Sequence, residues 1–352
     1  NIPVILSLGS GSLTINQDYL LGWNLVGLSV VSESNSYYDL FPDAIQNTLF
    51  SYIPESGYQQ VENLEMGTGY WLRMSQDNTT SFTGTPVDQL TVFLVEAWNL
   101  VSGISIPIPV ESILDPTGII IPNTIFGYDL GYYLPENIEP GKAYWLRSSG
   151  EGNIIFSSTV QFTTKMAVVE QVEANTIIMG GQTLYFSAVE SEENILSYSL
   201  PPRPPLGGSD IRFSDDTRLC AKEECVIEVM NGGHPVTLNF NISNGEKWEL
   251  VPVIPIRQLG EKAITLSDQR QISLDSSVEN WLLRKSTSSE ISKGFSLLPA
   301  HPNPFNPVTT IQFSIEETST TWRTSLHVFD ITGKRVDTLI NEILEGAGIH
   351  TV

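Results

Sequence analysis

The side chains able to do chemistry are few and scattered. The chain has four histidines, His234, His301, His327 and His350, two cysteines and 40 carboxylates. A zinc hydrolase would show His-Glu-x-x-His, a serine hydrolase Gly-x-Ser-x-Gly and a nucleotide-binding loop Gly-x-x-x-x-Gly-Lys; none is present. Leu8-Gly9-Ser10-Gly11-Ser12 is Gly-rich, but β-type residues follow it, so no helix N-terminus is expected there to cradle phosphate. A glycosidase needs two carboxylates on facing strands, and nothing in the spacing marks such a pair. Asp215-Asp216, Glu192-Glu193 and Glu223-Glu224 read as solvated turns. They offer the hard oxygen ligands that calcium takes, without an Asp-x-Asp-x-Asp-Gly loop; calcium is the one cofactor the composition leaves open. No other metal site is expected. Cys220 and Cys225 enclose four residues, a length that fits a hairpin tip closed by a disulfide in an oxidising compartment. His234, beside Gly232-Gly233, reads as a turn residue. No catalytic residue is assigned, and the chain is not expected to be an enzyme.

Composition narrows the function classes further. The 352 residues carry a formal charge of -22, so no basic cluster exists to displace the counterions of nucleic acid or to bind an anionic bilayer. The first apolar run, residues 2–8, is far shorter than the ~20 residues of a membrane span and lacks the basic flank of a signal peptide. The sequence starts at Asn1 rather than Met, which suggests a processed chain or a fragment. Charged residues make up 16%, below the roughly 25% usual in globular proteins, so Ser, Thr, Asn and Gln must meet much of the solvent.

The elements that would position any site are β-strands. Gly22-Trp23-Asn24-Leu25-Val26 recurs as Ala97-Trp98-Asn99-Leu100-Val101, and Gly69-Tyr70-Trp71-Leu72-Arg73 as Ala143-Tyr144-Trp145-Leu146-Arg147. Between them Leu49-Phe50-Ser51-Tyr52 matches Ile125-Phe126-Gly127-Tyr128. Three anchors in one order, at offsets of 74 to 76 residues, define a duplicated unit, residues 15–88 and 89–160, after an end of some preceding segment in 1–14. Short aromatic and β-branched runs bounded by Gly, Pro and Asn make the unit β-rich. Residues 39–47 and 110–114 break the pattern and are expected to form a short helix or turn. Trp23, Trp71, Trp98 and Trp145 have two readings, sugar stacking on exposed rings or burial with the indole N–H bonded; their place inside apolar strands favours burial.

Residues 161–285 alternate apolar and polar side chains, most clearly at Val236, Leu238, Phe240 and Ile242, and predict eight or nine strands in an Ig-like antiparallel β-sandwich. Further strands are expected around 166–172, 183–189, 225–230, 248–251 and 278–284. Pro201-Pro202-Arg203-Pro204-Pro205 must be extended. It reads as a ligand for a proline-binding domain or, preferably, as a stiff strap along the sandwich edge. Residues 286–294 are a polar linker.

The segment after it carries Pro302-Asn303-Pro304-Phe305-Asn306-Pro307, whose prolines forbid helix and central strand. A strand over 309–315, Phe329-Asp330, the turn Ile331-Thr332-Gly333-Lys334 and Gly348-Ile349-His350-Thr351-Val352 follow. With this signature, residues 295–352 resemble the type A C-terminal sorting domain of cargo for the type IX (Por) secretion system. The middle segment resembles, more softly, the region that often precedes that domain. The family continues past Gly348-Ile349-His350-Thr351-Val352 with Trp-Asp-Gly and a last hairpin, so a truncated, partial β-sandwich with an unpaired edge is expected. Val336, Leu339, Ile340, Ile343 and Leu344 form a helical stripe, yet too little chain lies between Gly333 and Gly346 for a capped helix, and a strand is expected.

The resemblance implies export to the cell surface or the medium, with the secretion machinery as partner. The expected whole is an all-β string of small domains: a non-catalytic, bacterial structural or adhesive protein, associating with copies of itself or other surface proteins. Two other readings stand beside it, the tail of a secreted hydrolase whose catalytic domain lies upstream, and a carbohydrate-binding module. The latter requires at least two of the four tryptophans exposed on one face.

Overall fold

Period-2 alternation of side chains sets the architecture from the first strands onward. The computed structural model describes residues 5–159, 174–179, 181–187, 194–231, 236–242, 246–255, 263–266, 272–274, 278–286, 296–297, 300, 309–315, 322–330, 334–344 and 348–352. Among these, one four-residue α-helix, Tyr37–Leu40, and two 3-10 turns, Val110–Ser112 and Ile195–Tyr198, interrupt an otherwise all-β chain. The first two fall at the breaks in pattern around 39–47 and 110–114.

The duplicated units share one strand. Asn78–Leu94 runs for 17 residues; its first half pairs with Leu13–Tyr19 and its second with Gly152–Ser157 and Ile5–Leu8. The boundary expected at 88/89 therefore lies inside a strand, and part of the segment 1–14 belongs to the same sheet. Backbone continuity explains this, because the closing strand of one unit is the opening strand of the next.

Opposite this sheet lie the anchor strands, Gly22–Gly27 paired with Gly69–Met74 and Ala97–Ser102 paired with Ala143–Ser148. They are buried on both faces. Val26, Tyr70, Leu72 and Met74 point into the core of the first unit, and Val101, Tyr144 and Leu146 into that of the second. Trp23, Leu25, Trp71, Trp98, Leu100 and Trp145 point the other way, into a third, aromatic cluster common to both units.

The units meet about an approximate two-fold axis. Val26 bridges Lys142, and its counterpart Val101 bridges Thr68. The backbones come so close that a Cβ on Gly27 would sit 2.2 Å from that of Ser102, and one on Gly69 2.6 Å from that of Ala143. Each anchor asparagine ties its strand entry the same way. Asn24 Oδ1 accepts from Leu20 N–H and its amide donates to Leu20 and Gly22 carbonyls; Asn99 does this with Val95 and Ala97. The turn before each second anchor is held by a tyrosine, Glu65 N–H donating to Tyr70 and Glu139 N–H to Tyr144.

The next region is a sandwich of two five-stranded sheets around a single core that includes Phe186, Leu238, Trp248, Trp281 and Leu283. It is not wholly antiparallel, since Gln182–Phe186 pairs in parallel with Leu219–Cys220. The strand expected at 166–172 lies outside the described residues. Cys220 and Cys225 are disulfide-bonded, but not across a hairpin. Leu219–Cys220 belongs to one sheet and Glu224–Met230 to the other, so the bond staples the two layers together.

In the C-terminal part, Gln312–Ile315 pairs with Ser296–Leu297 and with Gly348–Thr351, and Trp322–Phe329 forms a hairpin with Arg335–Leu344. The stripe from Val336 to Leu344 is thus a strand: Leu339 and Ile340 pack with Phe313 and Leu326, while Val336 is exposed. Gly348–Thr351 is not an open edge. Ile254–Pro255, from the preceding sandwich, pairs with it in parallel, so the two regions share a sheet.

Candidate functional site: the aromatic face and its proline strap

The most elaborate side-chain arrangement is the aromatic cluster between the repeats. It is built from equivalent residues crossing from one unit to the other. Trp71 of the first unit packs edge to face on Tyr128 of the second at 4.7 Å between ring centroids, and Trp145 of the second packs on Tyr52 of the first at 4.8 Å. Trp23 meets Trp71 at 87°, as Trp98 meets Trp145. These are the arrangements that the ring quadrupole favours. All four tryptophans are buried, with exposures of 9%, 0%, 8% and 0% for Trp23, Trp71, Trp98 and Trp145. The stacking reading needed two of them exposed, and it falls.

The strap lies between this cluster and the sandwich, to which Leu200 N–H, bonded to Asp216 O, and Arg203, paired with Glu228 and Asp216, tie it. Leu200 is buried in the cluster. The tyrosines then take successive strap carbonyls: Tyr132 donates to Pro202 O at 2.5 Å and its counterpart Tyr58 to Arg203 O at 2.6 Å. Further along, Trp23 Nε1–H donates to Leu206 O, and the Tyr128 hydroxyl donates to Ser209 O and accepts from Ser209 N–H. Proline suits this path, because it leaves few N–H groups needing partners and holds the chain extended, so carbonyls can point at donors. Burial pushes the phenols of Tyr58, Tyr128 and Tyr132 up from their ordinary value, which keeps the O–H donors protonated.

Two buried arginines lie at the contact, and one of them spans it. Arg212 is buried with Asp210 at 2.5 Å and reaches Asp216 at 3.0 Å. Burial holds the Asp210 carboxyl above its usual range despite this partner. Arg218 is buried against Phe126, Tyr185 and Tyr198, and donates to Asn123 O in the repeats and Ser197 O in the sandwich. One cation thus bridges the two regions.

Beside the strap opens a cleft of ≈ 920 Å³, lined by Tyr52, Trp98, Arg147, Leu196, Arg212 and Lys222 among others. Arg147 stacks over Trp98 at 5.7 Å, and burial pushes its pKa down.

The other residues singled out in the sequence do not converge on this place. Pro302, Asn303, Pro304, Phe305, Asn306, Pro307 and Gly333 lie outside the described residues, as do His234, His301 and Glu192-Glu193. Asp330 closes its turn: its carboxylate accepts from Lys334 N–H and its own N–H donates to Lys334 O. Gly348 opens the strand paired with Gln312–Ile315. Asp216 is engaged by Arg203 and Arg212. Among the described residues no group of three His, Cys, Asp or Glu side chains is placed to hold a metal ion, and no helix is long and apolar enough to cross a membrane.

No family model, curated protein or solved structure matches this chain.

Tyr58, Tyr132 and Arg218 escaped the sequence reading. Tyr52 and Tyr128 carried a signal there in the middle repeat anchor, and Arg147 as the last residue of the Tyr-Trp-Leu-Arg anchor.

Proposed function

We propose that the chain is a non-catalytic structural or adhesive protein of the bacterial surface or extracellular space, exported by the type IX system. The observation that carries the structural role is the use of the aromatic face. Its rings, and the Tyr58, Tyr128, Tyr132 and Trp23 donors among them, join the chain to itself through a two-fold ring cluster and a strap from the next domain, beside a strand that both units share. Consecutive β units coupled in this way transmit load rather than move about a substrate. The inter-sheet disulfide fits an oxidising location. Export rests on the signature at Pro302 to Pro307 with Asp330, Gly333 and Gly348.

Immunodetection of the full-length protein in a bacterium with a type IX system tests this. Wild-type protein is expected outside the outer membrane, and a Phe305→Ala, Asn306→Ala variant in the periplasm. Equal export of both removes the export reading. Peptidase or glycosidase activity in the purified chain removes the structural one.

A further inference from the structure

The two-fold relation between the repeats makes the cleft the counterpart of the position that the strap fills. On the filled side, Trp23 Nε1–H holds Leu206 O and the Tyr128 hydroxyl holds Ser209 O. Their equivalents are Trp98 and Tyr52. Both line the cleft, and among the described residues neither donates to a carbonyl. Near the axis the strap serves both Tyr58 and Tyr132, but farther along it serves Trp23 and Tyr128 alone, and Trp98 and Tyr52 line the cleft.

The cleft shares one cation with its mate, since Arg147 stands opposite Trp98 in its strand pair as Arg73 stands opposite Trp23, and it gains others from the sandwich. The Arg147 guanidinium sits over Trp98, 5.7 Å from the ring centroid, with Nε buried and unpartnered. It forms no ion pair among the described residues; Glu96 is near enough to influence it but not to pair. Arg212, only 1% exposed, lines the same cleft with its Nη2 unpartnered, and Lys222 stands at the rim. Asp215 and Asp216 also line it, the latter occupied by Arg203 and Arg212. A guanidinium over an indole with no carboxylate partner of its own suits capture of a carboxylate from another chain. Ile195 and Leu196, 48% and 42% exposed, supply an apolar wall.

We propose that this cleft binds an extended, proline-containing segment of a partner chain that carries an acidic side chain. Its carbonyls take Trp98 Nε1–H and the Tyr52 hydroxyl, as the strap's carbonyls take Trp23 and Tyr128 on their side, its prolines lie along the cleft, and its carboxylate pairs with Arg147. Aromatic grooves bind polyproline segments because the ligand is already ordered. The site stands on geometry alone, so it holds whether or not the export reading does, and purified protein suffices to test it.

The probe is the peptide acetyl-Pro-Pro-Glu-Pro-Pro-Leu-amide, titrated calorimetrically into the full chain, with acetyl-Pro-Pro-Arg-Pro-Pro-Leu-amide as its charge-reversed control. One-to-one binding of the acidic peptide is expected, with the control at least about tenfold weaker. Arg147→Ala should remove that preference, and Arg147→Lys should restore part of it. Trp98→Phe, which keeps a ring and loses the donor, should weaken binding several-fold, whereas Trp23→Phe, under the strap, should not. Equal binding of both peptides, indifference to Arg147→Ala, no heat at millimolar peptide, or binding of trigalacturonate in place of the peptide would each overturn the proposal.

Discussion

Trp71 and Tyr128 belong to different copies of the repeat, 57 residues apart in sequence, yet their rings meet at 4.7 Å and 79°. The related pair, Trp145 and Tyr52, meets at 4.8 Å and 78°. Each copy therefore completes the other's aromatic face, and neither unit has a finished surface alone. This reciprocity is why a unit of this size, which buries only a modest share of its surface, occurs here as a pair.

Truncating that contact should be costly. Trp71→Ala is expected to destabilise the chain by about 3–5 kcal/mol, the range for emptying a buried tryptophan site. A double-mutant cycle with Tyr128→Leu should return a coupling of about 0.5–1.5 kcal/mol in denaturant unfolding. Additive effects would show that the two rings do not act together.

The two repeats differ at one backbone position with a stability consequence. Gly22 has φ 94°, and its counterpart Ala97 has φ 74°, where a Cβ is strained. Ala97→Gly should therefore raise stability by about 1 kcal/mol, against the usual direction for a glycine in a strand. The midpoint of urea unfolding measures it, and a lower midpoint would refute the strain.

The disulfide closes a short loop but joins two sheets. Replacing Cys220 and Cys225 by serine should cost roughly 2 kcal/mol by loop entropy. The loss should be seen equally on adding reductant to the wild type. Amide hydrogen exchange is expected to rise first in the strands Gln182–Phe186 and Glu224–Met230, on either side of the bond.

Acid should weaken the sandwich through Glu246. Hydrogen bonds from Lys285 first, then from Trp248 and Asn175, hold its carboxyl down at about 2 against an ordinary 4.5. The unfolded chain binds the proton more readily between these values, so this contribution is whole above pH 4.5 and is lost as pH falls toward 2. Glu246→Gln should flatten the pH dependence of stability in that window, and an unchanged slope would exclude this carboxylate as the cause.

Much of the fold was legible residue by residue. Val236, Leu238 and Phe240 alternate in the sequence and are buried in the structure while Asn239 is exposed. The repeat was legible too, because equivalent positions need equivalent chemistry: Asn24 and Asn99 make the same three bonds. The helical stripe from Val336 to Leu344 shows the limit of periodicity, since those residues fit two periods and only pairing with Trp322–Phe329 selects the strand. Cys220 and Cys225 show another: a five-residue separation permits a hairpin tip, and the sheet assignment of each flanking strand is what excludes it.

Sequence alone determined that this chain is predominantly β, that a unit is duplicated and that its tryptophans sit in apolar strands. Those properties are local, set by side-chain alternation and turn residues within a few positions. Tertiary structure decided what the outer face of those strands meets. Both faces of a doubly buried strand look alike in sequence, so only the docking of one repeat on the other could place Trp23, Trp71, Trp98 and Trp145 in a single cluster. Only the path of a strap from another domain could leave Tyr52, Trp98 and Arg147 facing a cleft on one side of the axis while their mates Tyr128 and Trp23 hold the strap on the other.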